Sequence, residues 1–146
     1  MAEQAFPRAA VEAFLAEPRN VMVAGIRANG RPQMTPNWFY WDGSRFYIST
    51  TATRQKYRTF RRDPRVQLAF DDPTGFKCLL IDGTVAIWED IDQGLPFFQA
   101  IMRKHRGDAV PDEATTRARL IAERRVLLVI TPDKPLEACT QWGFSA

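Results

Sequence analysis

Residues 21–51 read VMVAGIRANGRPQMTPNWFYWDGSRFYISTT, and the turn residues within them decide the fold. Val21 to Ala28 is rich in β-formers, Asn29-Gly30 is the strongest short hairpin signal, and Arg31 to Trp41 returns as a second, aromatic strand. Asp42-Gly43 turns the chain again, and Arg45 to Thr51 alternates as a third strand. Three strands joined by two tight turns predict an antiparallel meander. Pro32 and Pro36 each remove a ladder donor, so the second strand belongs at an edge, at a bulge or where backbone turns toward a ligand.

On the N-terminal side, Phe6-Pro7 opens a short helix with Val11, Phe14 and Leu15 on one face, ended by Pro18. Downstream, Thr53 is placed to cap a helix to about Arg62, stopped by Asp63-Pro64. Val66 to Phe70 reads as a fourth strand. Phe76 to Trp88 reads as a long one interrupted at Asp82-Gly83, where glycine marks a bulge or bend. Leu95 to Arg106 and Glu113 to Glu123 are helical, Arg125 to Thr131 is an apolar strand, and Leu136 to Trp142 is another. About six strands and three or four short helices predict a mainly β protein, an antiparallel β-barrel rather than a βαβ fold.

The chain has 146 residues, 45% of them apolar, which fits one domain over residues 1–146. It shows no basic and apolar leader and no apolar run near the roughly 20 residues of a membrane span, so a cytoplasmic protein is expected. Cys78 and Cys139 are far apart and form no C-x-x-C pair, so they read as reduced thiols. The net charge is +3, but six basic residues between Arg54 and Arg65 face a single acid, Asp63. Charge gathered at one place favours an anionic ligand there over coating of nucleic acid.

The chemistry concentrates in Ser49-Thr50-Thr51-Ala52-Thr53-Arg54-Gln55-Lys56. Hydroxyls at a strand end, free amides at a helix start and an Arg/Lys pair converge on a phosphate monoester. On a helical wheel Arg54, Arg58, Arg61 and Arg62 share one stripe, Tyr57 and Phe60 mark the buried side, and Lys56 sits beside that buried edge. Lys56 is either a stem lying over the core or a phosphate ligand, and its place among the hydroxyls favours the ligand. Replacing it should therefore weaken binding more than replacing Arg62.

No acid/base or metal apparatus accompanies this cradle. The single histidine, His105, lies in a basic helix tail suited to dipole compensation, and one histidine with two distant cysteines is too few for zinc. Neither a Walker loop nor G-x-G-x-x-G is present. A phosphate cradle without catalytic side chains suits a cofactor that carries its own chemistry, such as a flat phosphorylated ring, with Trp38, Trp88 and Trp142 as candidate walls. The consecutive Trp38, Phe39, Tyr40 and Trp41 must turn half their rings outward, and a second copy of the chain would cover them.

The order Gly30-Arg31-Pro32, Pro36-Asn37-Trp38, Tyr47-x-Ser49-Thr50, Arg54-x-Lys56, Arg61-Arg62-Asp63-Pro64-Arg65-Val66 and Asp82-Gly83-Thr84-Val85 resembles the pyridoxamine 5′-phosphate oxidase-like superfamily. Within it, the chain looks most like the reductases that use the deazaflavin coenzyme F420. The resemblance implies a split β-barrel of the FMN-binding kind and a homodimer with two cofactor sites at the subunit interface. Gln33 to Trp38, including Pro36 and Asn37, would pass along the ring. Ser49, Thr50, Thr51, Arg54, Gln55 and Lys56 would hold phosphate, and the partner's Phe76, Lys77 and Cys78 would close the site.

The ending from Gln141 does not reproduce the aromatic and basic pattern of vitamin B6 oxidases, and Cys78 stands where relatives often carry an aromatic. The function implied is hydride transfer from reduced F420 to an electron-poor double bond of a small organic substrate. The proton would come from solvent or from Lys77. FMN in the same cradle, or a flavin- or haem-binding carrier without turnover, are the alternatives.

Overall fold

The computed structural model describes residues 5–144. Its elements are α1 (Arg8–Ala16), β1 (Val21–Ile26), β2 (Pro32–Asn37), β3 (Tyr40–Trp41), β4 (Phe46–Thr51), α2 (Gln55–Arg62), β5 (Arg65–Asp71), β6 (Cys78–Trp88), α3 (Ile91–Arg106), α4 (Glu113–Ala122), β7 (Arg125–Pro132) and β8 (Thr140–Trp142). The strands form one antiparallel sheet in the order β2-β1-β5-β6-β7-β4-β3, with β8 added to β6. None of the described helices is long and apolar enough to cross a membrane.

The expected meander is replaced by a longer path. Hairpin β1–β2 forms as predicted around Gly30, whose φ of 81° needs glycine. The aromatic strand then breaks after Asn37. Its second half, β3, pairs with β4, and β4 pairs with β7 on the far side of the sheet. The two ends of the strand order, β2 and β3, are separated in the chain by Trp38 and Phe39 alone. That link spans at most roughly 10 Å. The sheet must therefore curl until its ends face each other across a gap, which gives a half-closed barrel.

Two cores follow from this curl. Inside the barrel lie Val21, Val23, Phe39, Phe46, Ile48, Leu68, Phe70, Leu79, Ile81 and Leu128. On the outer face of β4 and β7, Tyr47, Leu127 and Val129 pack against Phe98, Ile101 and Leu120 of α3 and α4. A strand covered on both faces has no polar alternation, which is why Val126 to Ile130 is unbroken apolar sequence.

Several local expectations change. β6 runs through Asp82-Gly83 without interruption, its Gly83 paired with Val66 on one side and Pro132 on the other. The glycine is there for close approach: a Cβ would stand 2.8 Å from Ile130 and 2.9 Å from the Thr131 carbonyl. α3 begins four residues before Leu95, because the Asp90 carboxylate accepts the amides of Asp92 and Gln93. The last predicted strand is a 3₁₀ turn at Leu136–Ala138 followed by the short β8. Thr53 does not cap α2; its hydroxyl lies 2.8 Å from that of Thr51, and no side chain caps the helix. The buried stripe of α2 is Lys56, Thr59 and Phe60, with Tyr57 half-buried.

Candidate functional site

A cavity of about 370 Å³ opens where the C-terminal end of β2 meets β4, α3 and α4. Pro36, Asn37 and Trp38 form one wall, Ser49 and Arg54 the strand-end side, and Phe98, Ile101, Met102 and Leu120 an apolar floor. Five of the residues expected at the site from sequence thus share one cavity. Trp88 instead packs with Phe97 and Tyr47, and Trp142 lies on β8 at 48% exposure, so of the three candidate walls only Trp38 serves.

The strand period divides the hydroxyls. Ser49 lies on the outer face of β4 with Tyr47, where its oxygen accepts from the Arg125 guanidinium at 3.3 Å. Thr50 lies on the inner face with Ile48, 2% exposed, and its hydroxyl has no partner among the described residues. A buried, unpaired hydroxyl costs free energy unless a ligand or water completes it.

Lys56 is 8% exposed, and its ammonium donates to the Thr35 hydroxyl at 2.8 Å. Asn37 donates to both the carbonyl and the hydroxyl of Thr35, at 2.9 and 3.2 Å. Gln33, Thr35 and Asn37 share the face of β2 that matches Gly25, Val23 and Val21 of β1, and the Gln33 amide oxygen is buried without a partner. Burial, and then the charge of Arg54, push the Lys56 pKa below its ordinary value. A lysine so placed lacks a counter-charge, and a phosphate would supply one. α2 can come this close because β1 carries Gly25, where a Cβ would stand 3.0 Å from the Phe60 ring and the Thr59 methyl.

The remaining predicted residues lie elsewhere. Gln55 bonds within its own helix, to Thr59 at 3.3 Å and Arg58 at 3.0 Å. Thr51 is paired with Thr53. The Lys77 ammonium stands 5.9 Å from the Phe144 ring, and Cys78 is buried at the start of β6 opposite Trp142; neither lines the cavity of its own chain. The other arginines of the basic segment are exposed: Arg58 bonds to Gln55 and Arg61 to Tyr57 within α2, Arg62 reaches the Ile26 carbonyl, and Arg65 pairs with Asp63.

Sequence reasoning missed four charged lining residues, Arg106, Arg119, Glu123 and Arg125. Arg125 opens β7, and only the pairing of β7 with β4, Thr51 opposite Arg125, carries it to the hydroxyls. Glu123 binds Arg125 at 2.7 Å and Arg119 at 3.8 Å; the hydrogen bond from Arg125 holds its carboxyl below the usual range. His105 was also misread. It is half-buried, its Nε2 lies 3.3 Å from the Phe39 amide and 3.2 Å from the Phe39 carbonyl, and its ring stacks on Trp38 at 4.9 Å. Burial depresses its pKa, so the ring is a neutral brace for the cavity wall.

The polar features fit a phosphorylated ring: among the described residues the start of α2 has no side-chain cap, the Thr50 hydroxyl has no partner and the Lys56 ammonium, held by Thr35, has no counter-charge, and a phosphate would supply each. Known proteins agree with this architecture. A solved F420 reductase is 28% identical over 84% of this chain and 93% of its own, with a TM-score of 0.68. A conserved hypothetical protein from Mycobacterium tuberculosis is 22% identical over 97% of this chain and 89% of its own, with a TM-score of 0.78. A pyridoxamine 5′-phosphate oxidase-related, FMN-binding protein from Nostoc punctiforme is 16% identical over 86% and 79%, with a TM-score of 0.61. The family model described as pyridoxamine 5′-phosphate oxidase matches residues 7–137, nearly the whole of the described chain. With the curled antiparallel sheet, the split at Trp38-Phe39 and this match in hand, the chain belongs to the pyridoxamine 5′-phosphate oxidase family.

Proposed function

We propose that the protein is an oxidoreductase that binds the reduced deazaflavin coenzyme F420 and passes its hydride to an electron-poor double bond of a small organic substrate. The observation that carries this reading is the unsatisfied phosphate cradle, Thr50, Lys56 and the uncapped start of α2, beside a cavity walled by Trp38. The 28% likeness to an F420 reductase supports the choice of ring. When bound, the reduced deazaflavin supplies the hydride.

The protein's own residues bind and orient. Lys56 and the inner-face hydroxyl of Thr50 hold the phosphate with Arg54 at the start of α2, Ser49 faces the cavity beside Arg125, and Thr51 and Gln55 frame the turn. Gln33, Pro36, Asn37 and Trp38 flank the ring. Glu123, the one acid lining the cavity among the described residues, is held ionised by Arg125 and is no proton donor. The proton comes from water or from a partner's Lys77.

The proposal includes a homodimer in the cytoplasm. The outward sheet face offers an apolar row, Pro36, Met22, Ala69 and Leu80, in register across four strands. Met34, Phe76 and Trp142 stand exposed beside it at 56%, 79% and 48%. Covering this face with a second copy would bring a partner's Lys77 and Cys78 to the cofactor.

FMN in the same cradle is the second reading, favoured by the fold shared with an FMN-binding protein. Equilibrium titration with F420 and FMN separately distinguishes them: tighter F420 binding is expected, and preferential FMN binding overturns the proposal. Binding of F420 with no reoxidation of its reduced form by a panel of enones would make the protein a carrier.

A further inference from the structure

We infer that the α3–α4 end of the cavity is a carboxylate-selecting subsite, so that the substrate is an organic acid with an apolar, conjugated body. The inference rests on the proposed site and names the class of molecule it accepts.

The last turn of α3 carries four bases in sequence, Arg103, Lys104, His105 and Arg106. Three are accounted for. Lys104 donates to the Leu15 carbonyl at 2.7 Å, His105 braces Phe39 and Trp38, and Arg103 turns to a separate groove beside Tyr40 and Trp41. Arg106 alone of the four lines the cavity.

Its charge is also the uncommitted one there. Glu123 engages Arg125 and Arg119, and Arg119 further donates to the Met102 sulfur at 3.7 Å. Arg54 belongs to the phosphate end. Among the described residues Arg106 has no carboxylate partner; it is exposed, and it lines the same cavity as Phe98, Ile101 and Met102, each at most 6% exposed. An apolar floor ending at a free, planar guanidinium accepts a flat apolar body ending in a carboxylate, because the fork of donors matches both carboxylate oxygens. A neutral ester or amide of the same shape buries the same surface and leaves Arg106 unmatched.

The probes are cinnamate and methyl cinnamate, titrated calorimetrically into the protein loaded with oxidised F420. Cinnamate is expected to bind at least tenfold more tightly than its ester. Arg106→Met, which keeps the apolar stem, should bring the two within about twofold, Arg106→Lys should retain part of the preference, and F420 affinity should stay at the wild-type value in both variants. Equal affinities in the wild type, discrimination that survives Arg106→Met, loss of F420 binding in that variant, or no binding of either probe would each overturn the inference. Failure of F420 to bind at all is read separately and sinks only the cofactor assignment, since the same two probes titrated into cofactor-free protein still report on Arg106.

Discussion

The Lys56 ammonium and the Thr35 hydroxyl meet at 2.8 Å, tying the first turn of α2 to the edge strand β2. A hydroxyl cannot balance a buried positive charge, so this contact holds the lysine ready for an anion. Lys56→Ala should therefore cost about 1.5–3 kcal/mol of cofactor binding, roughly a 10- to 100-fold loss. Arg62→Ala, which removes an exposed side chain reaching the Ile26 carbonyl, should change affinity by less than about twofold. Fluorescence titration of both variants decides the matter, and equal losses would contradict the assignment.

Thr50→Val gives two effects of opposite sign. Removing a buried hydroxyl with no partner, at nearly constant shape, should stabilise the cofactor-free protein by about 1 kcal/mol. The same change deletes a phosphate ligand and should lower cofactor affinity at least severalfold. Urea denaturation without cofactor and a binding titration read the two separately; a destabilised variant would mean that the hydroxyl is already satisfied.

Gly25→Ala places a methyl 3.0 Å from Phe60 and Thr59, both on the helix that carries Lys56. Overpacking of this kind costs about 1–3 kcal/mol, and here it also pushes α2 away from β2. Stability and cofactor affinity should fall together. Gly83→Ala meets the Thr131 carbonyl at 2.9 Å, where backbone has less room to give, and should lower the urea midpoint further while sparing affinity.

Lys104 sets a pH dependence. Burial, with the Arg19 charge added, pushes its ammonium from the ordinary 10.5 down to about 7. Between these values the unfolded chain holds a proton that the folded chain has released, so the cost of this lysine is full below pH 7 and is relieved as pH rises toward 10.5. Wild type should gain stability relative to Lys104→Met across that window, whatever the offset between them. Parallel stability profiles from pH 7 to 10 would mean that the Leu15 carbonyl and the Phe39 ring, 2.7 and 3.3 Å away, keep the group charged.

Local signals in the sequence were sufficient wherever chain neighbours decide structure. The Asn29-Gly30 turn, the α1 stripe and the helix stop at Asp63-Pro64 stand as read. What failed depends on which strands meet. Nothing local in Asn37-Trp38-Phe39 reveals that the chain leaves one edge of the sheet there and resumes at the other. The same limit hid half of the cavity. Arg125 and Ser49 are 76 positions apart and become partners only through the β4–β7 pairing. Lys56 was legible because its hydroxyl neighbours are adjacent in sequence, whereas Thr35, which it touches, was not.

The two-residue link between β2 and β3 is a covalent ruler. Both lips of the barrel's gap hang on it, with Phe39 pinned by His105 and its ring covered by Lys104, so the gap has a maximum width fixed by peptide geometry rather than by packing that could breathe. Adaptation to bulkier ligands is expected to proceed through α3, α4 or a second subunit, because two residues bound how far the lips can part at this end.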